Sequence, residues 1–308
     1  MWKAGSCRRN DTVVTNRTWG DRVFNVFLYV FMIFMAAITL YPFLNVLAIS
    51  FNDSVDSVRG GIHLWPRQFT LNNYREVFTY PTLVRGFYIS SLRTIIGTAL
   101  GVLSSAMVAY VISCEEFIAR KFVSGLFILT LYFSGGLIPE FMLVRKLGLM
   151  NNFWVYILPG LIGGWNVFVL RAYIDTLPVN LKESAKLDGA NDLTIFFRII
   201  LPLCKPVLAT VALFIAVGQW NSWFDTFLYA SSNPDLTTLQ YEMMRIMQNT
   251  AMSSTASMYG LTAANAPRIS PESIRMTITV VATLPIVAVY PFLQKYFVKG
   301  LTLGAIKG

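Results

Sequence analysis

Charge is absent from long stretches of this chain. Residues 23–52, 94–114, 122–139, 147–170, 206–224 and 276–294 each run 18 to 30 residues without Asp, Glu, Lys or Arg. About 20 apolar residues, rising 1.5 Å each, cross the hydrocarbon of a bilayer, so each run predicts a membrane-spanning helix. A seventh uncharged window, 246–267, is rich in Ser, Thr, Asn and Met and is not apolar enough to count. The expected fold is therefore all-α and polytopic. It has six spans, at about 23–51, 90–114, 122–144, 150–171, 206–227 and 274–296. Between and around them lie an N-terminal segment (1–22), loops at 52–85, 175–205 and 230–273, and a tail (299–308).

Composition agrees with that pattern. Hydrophobic residues make up 55% and charged residues 13% of the chain, and the mean hydropathy is +0.55, far from a soluble average. Lys and Arg fix the orientation. With both termini inside, fifteen of them fall in the cytoplasm, from Lys3 to Lys307, and nine outside, from Arg59 to Arg275. Cytoplasmic loops carry the basic excess, so 1–22, 175–205 and 299–308 are cytoplasmic, and 52–85 and 230–273 are outer loops. The net charge of +9 is then a topology signal. It does not mark a nucleic-acid surface, because no basic stripe alternates with aromatics on a soluble domain. The basic start followed by an overlong apolar run reads as an uncleaved anchor rather than a signal peptide. Cys7, Cys114 and Cys204 lie on or near the reducing side and form no expected disulfide.

The loop at 175–205 has its own structural signals. Asn180 with Glu183 makes a capping box, so two helical turns are expected over 181–188. Gly189 is placed to close them in a left-handed turn. Asn191-Asp192 caps a second short helix, and Pro202 is expected to stop it. Such a helix–glycine–helix elbow is a docking surface. The 52–85 loop, with Trp65-Pro66, is expected to fold on the membrane surface. In the other outer loop, 239–247 is amphipathic, and Met243, Met244 and Met247 read as a packing face. The only histidine, His63, has no partner in the sequence for a metal site, so no metal is expected.

No phosphate-binding loop, no Ser/His/Asp set and no Cys/His cluster occurs. The chain is not expected to be an enzyme, and no catalytic residue is assigned. Transport would have to be powered by an ion gradient or by a partner. Ion-coupled carriers keep ionisable groups at the bilayer centre, and the span interiors are expected to carry none. Their polar groups are neutral and mixed with aromatics: Tyr132 and Ser134 before Gly135-Gly136, Trp165-Asn166 after Gly163-Gly164, and Gln219, Trp220, Asn221 and Trp223 before Asp225. Amides and hydroxyls hydrogen-bond sugar hydroxyls, and indole faces stack on pyranose rings. The competing reading places the aromatics in interfacial belts and uses the glycines only to pack helices.

The run Glu183-Ser184-Ala185, three residues, Gly189, nine residues, Ile199-Ile200-Leu201-Pro202 resembles the EAA loop of ABC importer permeases, with Ser184 in place of the usual Ala. The ending Val298-Lys299-Gly300-Leu301-Thr302-Leu303-Gly304-Ala305-Ile306-Lys307-Gly308 resembles the tail of the maltose-type sugar permeases. Residues 133–139 and 218–225 resemble the branch that imports oligosaccharides, including uronate-containing ones. The resemblance implies a type I ABC importer permease in a bacterial cytoplasmic membrane. It implies a second homologous permease, a dimer of cytoplasmic ATPases that binds Mg-ATP, and an extracytoplasmic solute-binding protein as partners. No cofactor would be held in this chain. Glu183, Ser184, Ala185, Asp188, Gly189, Leu201 and Pro202 would couple to the ATPase, and Gly304, Lys307 and Gly308 would reach the ATPase dimer interface. The alternatives are an ion-coupled secondary sugar carrier and a non-transporting scaffold.

Overall fold

The computed structural model describes residues 19–258 and 270–305. Among these, every regular element is helical, as the hydrophobic pattern requires. The helices are α1 (Trp19–Ser50), α2 (Ser54–Val58), α3 (Asn72–Thr79), α4 (Pro81–Ser113), α5 (Arg120–Tyr132), α6 (Leu137–Lys146) and α7 (Gly164–Ile174). They continue with α8 (Asn180–Leu187), α9 (Asp192–Ile195), α10 (Leu201–Leu203), α11 (Lys205–Asn221), α12 (Phe224–Tyr229), α13 (Leu239–Met258) and α14 (Pro271–Ala305). The end of the tail, including Lys307 and Gly308, lies outside the described residues, as does the segment before Trp19.

Among the described residues, three helical stretches are long and apolar enough to cross a membrane unaided: Trp19–Ser50, Pro81–Ser113 and Glu272–Pro291. Two bent pairs bring the number to five, Arg120–Tyr132 with Leu137–Lys146 at 119° and Asp192–Leu203 with Lys205–Asn221 at 83°. The stretch expected as a span at 122–144 therefore turns sharply after Tyr132, at Gly135-Gly136. The stretch expected at 150–171 is not one helix. It opens with a 3-10 turn, Phe153–Tyr156, and becomes helical only over the 11 residues of α7. At 1.5 Å per residue α7 is about 16 Å long, half a bilayer core. Pro159-Gly160 and Gly163 explain the interruption, because proline lacks a donor and glycine favours breaks. The expected span at 206–227 stops at Ser222 and resumes as α12.

Helix α4 is the axis of the bundle, with α5, α7, α11 and α13 packed around it. Small residues permit this. A Cβ at Gly97 would sit 3.0 Å from the Gln219 side chain of α11, so the helices meet where a larger residue would separate them. The first helix is the opposite case. None of its most apolar 18-residue window is buried within the chain, and it leans chiefly on α14.

Candidate functional site

The elbow forms as a helix, a glycine turn and a second helix, though two of its details differ from expectation. Asn180 does not cap α8. Val179 already has helical dihedrals (φ −60°, ψ −34°), and no side chain caps the first turn. A capping side chain must leave from an extended residue, and Pro178-Val179 begins the winding too early for that. The C-terminal end is as expected. Gly189 has φ +78°, and its N–H donates to the Lys186 carbonyl while that of Ala190 donates to Ala185, each at 3.0 Å. These two bonds are a Schellman closure. Nothing lies within 4 Å of a Cβ built at Gly189, so glycine is needed there for its backbone angle, not for close approach.

Asn191 caps the next helix as expected, its Oδ1 accepting from the Thr194 N–H at 2.8 Å. Pro202 does not stop that helix. The chain widens into a π turn at Phe196–Ile200 and stays helical to Leu203. The wider turn takes the Arg198 carbonyl out of the position where the proline ring would clash with it. The bend follows at Cys204, which is buried.

One face of the elbow is locked into the bundle. Ala185, Ile195, Phe196 and Ile200 pack in a single core with Ala109 and Ile112 of α4 and with Leu170 and Ile174 of α7. Lys182 Nζ donates to Ser113 Oγ at 3.2 Å, and Lys186 pairs with Glu116. The other face is open. Glu183, Ser184 and Asp188 are exposed, and Leu187 is 88% exposed. The coupling candidates thus divide. Ala185 is spent on this chain's own packing, Leu201 is half-buried, and Pro202 is exposed. Beside them a cleft of about 420 Å³ is lined by Tyr110, Glu115, Glu116, Arg120, Lys182 and Glu183, among others.

The polar candidates within the membrane separate as well. Tyr132 (81% exposed) and Trp165 (64%) face outward from the chain, with Ser134 exposed beside Tyr132. Asn166 folds back over Gly163. Asn221 is exposed, its Oδ1 accepting from Gln240, and Trp223 stacks edge-on against Phe224. Trp220 is buried and donates its indole N–H to the Ala282 carbonyl at 2.9 Å, tying α11 to α14. Gln219 and Asp225 join a cluster centred on Arg93.

Arg93 corrects the expectation that the spans hold no ionisable group. It lies within the expected 90–114 span, and its side chain is 2% exposed. Its two terminal nitrogens donate to the two Asp225 oxygens at 3.2 and 2.5 Å. Its Nε donates to Gln219 Oε1 at 3.0 Å, and its guanidinium stacks 4.5 Å from the Tyr156 ring centre. Gln219 Nε2 then donates to the Tyr156 carbonyl at 3.2 Å. The cluster spans the gap between α11 and α12. Arg93 stands at the negative end of α11, and Asp225 sits in the first turn of α12, so both charges also suit the helix dipoles. A guanidinium does not give up its proton, and both carboxylate oxygens are engaged. The arrangement is a brace, not a proton relay. One sequence signal points to it: Arg93 and Asp225 each abut an uncharged run, one basic and one acidic.

Comparisons with known proteins place this geometry. Protein LplC of Bacillus subtilis (strain 168) is 38% identical over 294 residues, 95% of this chain and 98% of the relative. The polygalacturonan/rhamnogalacturonan transport system permease protein YtcP of the same strain is 36% identical over 289 residues, 94% and 99% of the two chains. A crystal structure of a bacterial ABC transporter involved in the import of the acidic polysaccharide alginate superposes with a TM-score of 0.81. It covers 91% of this chain and 98% of that one at 24% identity, which is evidence of shared fold alone. Residues 14–303 match the model of the binding-protein-dependent transport system inner membrane components. The chain belongs to that family: it is the permease subunit of an ABC importer, and the ATPase that powers it is a separate protein.

Proposed function

We propose that this chain forms half of an oligosaccharide pathway across the cytoplasmic membrane and receives the ATPase stroke through α8. One observation carries the reading. The inner face of the elbow is packed against α4 and α7, while Glu183, Ser184, Leu187 and Asp188 are left free. A force applied to α8 therefore reaches the central helix as a rigid-body displacement. The partners are a dimer of cytoplasmic ATPases holding Mg-ATP, a second homologous permease and an extracytoplasmic solute-binding protein. On this reading both termini are cytoplasmic, which puts the elbow within reach of the ATPases, and the tail residues Gly304, Lys307 and Gly308 are assigned to contact with the ATPase dimer interface. Tyr132, Ser134, Trp165, Asn166, Asn221 and Trp223 are the side chains available to a sugar, while Gln219, Trp220 and Asp225 hold the helices that carry them. An oligosaccharide containing uronates suits the names of the relatives.

The test uses the complete purified transporter. Glu183→Lys and Leu187→Asp leave the core untouched, so the complex is expected to stay folded and lose substrate-stimulated ATP hydrolysis. Full stimulation in both variants would overturn the coupling role. Uptake that survives ATP depletion and collapses with an uncoupler would favour an ion-coupled carrier instead.

A further inference from the structure

The first helix is too long for the membrane it crosses. Its 32 residues extend about 48 Å, against about 30 Å of hydrocarbon. Arg22 marks one boundary, since the uncharged run starts at the next residue. About 20 residues further on, the opposite boundary falls near Pro42. With the helix upright, the last two turns of α1 stand clear of the hydrocarbon.

The chain returns to that level after α1 ends. Gly60 and Gly61, at φ +70° and +72°, reverse its direction, a pair of angles that side chains resist. Arg67 closes the neck of the resulting loop, donating to Asp56 Oδ2 at 3.0 Å and to the Gly60 carbonyl at 2.6 Å. The Asn52 amide, with Arg67 beside it, holds the Asp56 carboxyl below the usual carboxylate range. The flank of the loop is fastened to α1 itself. Asn45 Nδ2 donates to the carbonyls of Ile62 and His63 at 2.7 and 3.0 Å, and the Tyr41 hydroxyl bonds His63 Nδ1 at 3.0 Å. Tyr41 and Asn45 bracket the calculated boundary. From this pinned loop Leu64 and Trp65 project, 48% and 82% exposed.

We propose that residues 61–66 are an interfacial lipid anchor, with Leu64 and Trp65 seated among the headgroups at the end of α1 opposite Arg22, fixing the depth of that helix at Tyr41–Asn45. An indole with an apolar body and one donor is suited to that layer. The solute-binding protein is the competing occupant. The depth match and the bonds to α1 favour lipid, because they place the loop at the membrane surface and not above it.

The experiment places the complete transporter in phosphatidylcholine nanodiscs and takes the Trp65 emission as the difference between wild type and Trp65→Phe. The expected difference spectrum is blue-shifted, quenched strongly by lipids labelled near the headgroup and weakly by lipids labelled at the chain end, and insensitive to iodide. Water-like emission quenched by iodide would overturn the proposal. So would protection from iodide that appears only when the binding protein is added, or strongest quenching by the chain-end label. As a second measure, a spin label on Trp65→Cys, in a chain with its native cysteines replaced, should collide with oxygen more than with an aqueous nickel chelate. The reverse order counts against the anchor.

Discussion

The chain bends at Gly189 and again at Ser222-Trp223, and the two bends are built in opposite ways. At Gly189 the hydrogen bonds that set the turn come from within a few residues: two backbone bonds back to α8 and the Asn191 side chain ahead. At Ser222-Trp223 the contacts come from Arg93, 132 residues away from Asp225 along the chain, and from Tyr156. The first bend is exposed, and water can satisfy whatever the backbone does not. The second lies in the packed bundle, where unsatisfied polar groups are expensive, so the fold supplies charges to fill the gap. A bend at the surface can be local, whereas a bend in the core has to be solved by the whole bundle.

The largest expected effect breaks the core bend. Asp225→Ala leaves the Arg93 charge buried and unpaired, at a cost of about 3–5 kcal/mol, and Arg93→Ala strands the half-buried Asp225 carboxylate at a smaller cost. The double variant Arg93→Met with Asp225→Leu removes both charges and should recover most of the loss. Thermal unfolding of the purified complex tests this, and single variants no less stable than the double would contradict the brace.

A smaller loss is expected at the surface bend. Gly189→Val forces a branched side chain into a left-handed backbone, costing about 1–2 kcal/mol. Asn191→Ala removes one cap at about 1 kcal/mol. Both effects should stay local. Hydrogen exchange should quicken across 181–195 and remain unchanged in α4, and an equal rise in α4 would show that the elbow is not a separate unit.

The smallest effect concerns the Lys186–Glu116 pair, which ties the elbow to the loop after α4. The hydrogen bond from Lys186 to Glu116 raises the lysine pKa above its ordinary 10.5. Its contribution is therefore complete below that value and lost as pH climbs through the raised one. Wild type and Glu116→Gln should differ slightly at neutral pH and converge in strong alkali. A gap that widens with pH would reverse the sign.

Much of the elbow was legible because its signals are stereochemical and short-range. Glycine at the end of a helical run, followed by Asn-Asp, leaves few backbone solutions, and both Gly189 and Asn191 do what their residue types favour. Asn180 failed as a cap because the chain is already helical at Val179, one residue before the position the side-chain pattern indicates. Pro202 failed as a stop because a π turn, which needs no special residue, relieved the clash it would cause. The interruption of 150–171 was written in Pro159-Gly160, but freedom from charge outweighed it in a reading based on hydropathy.

The sequence by itself determined the membrane class, the helical content and the backbone turn at Gly189. These follow from composition and from forces acting within a turn or two of chain. Only the tertiary structure decided that α4 is the axis, that Ala185 faces inward while Leu187 faces out, and that Arg93 finds Asp225. Those outcomes depend on which helix faces meet, and a buried charge is tolerated only where packing delivers its partner to within hydrogen-bonding distance.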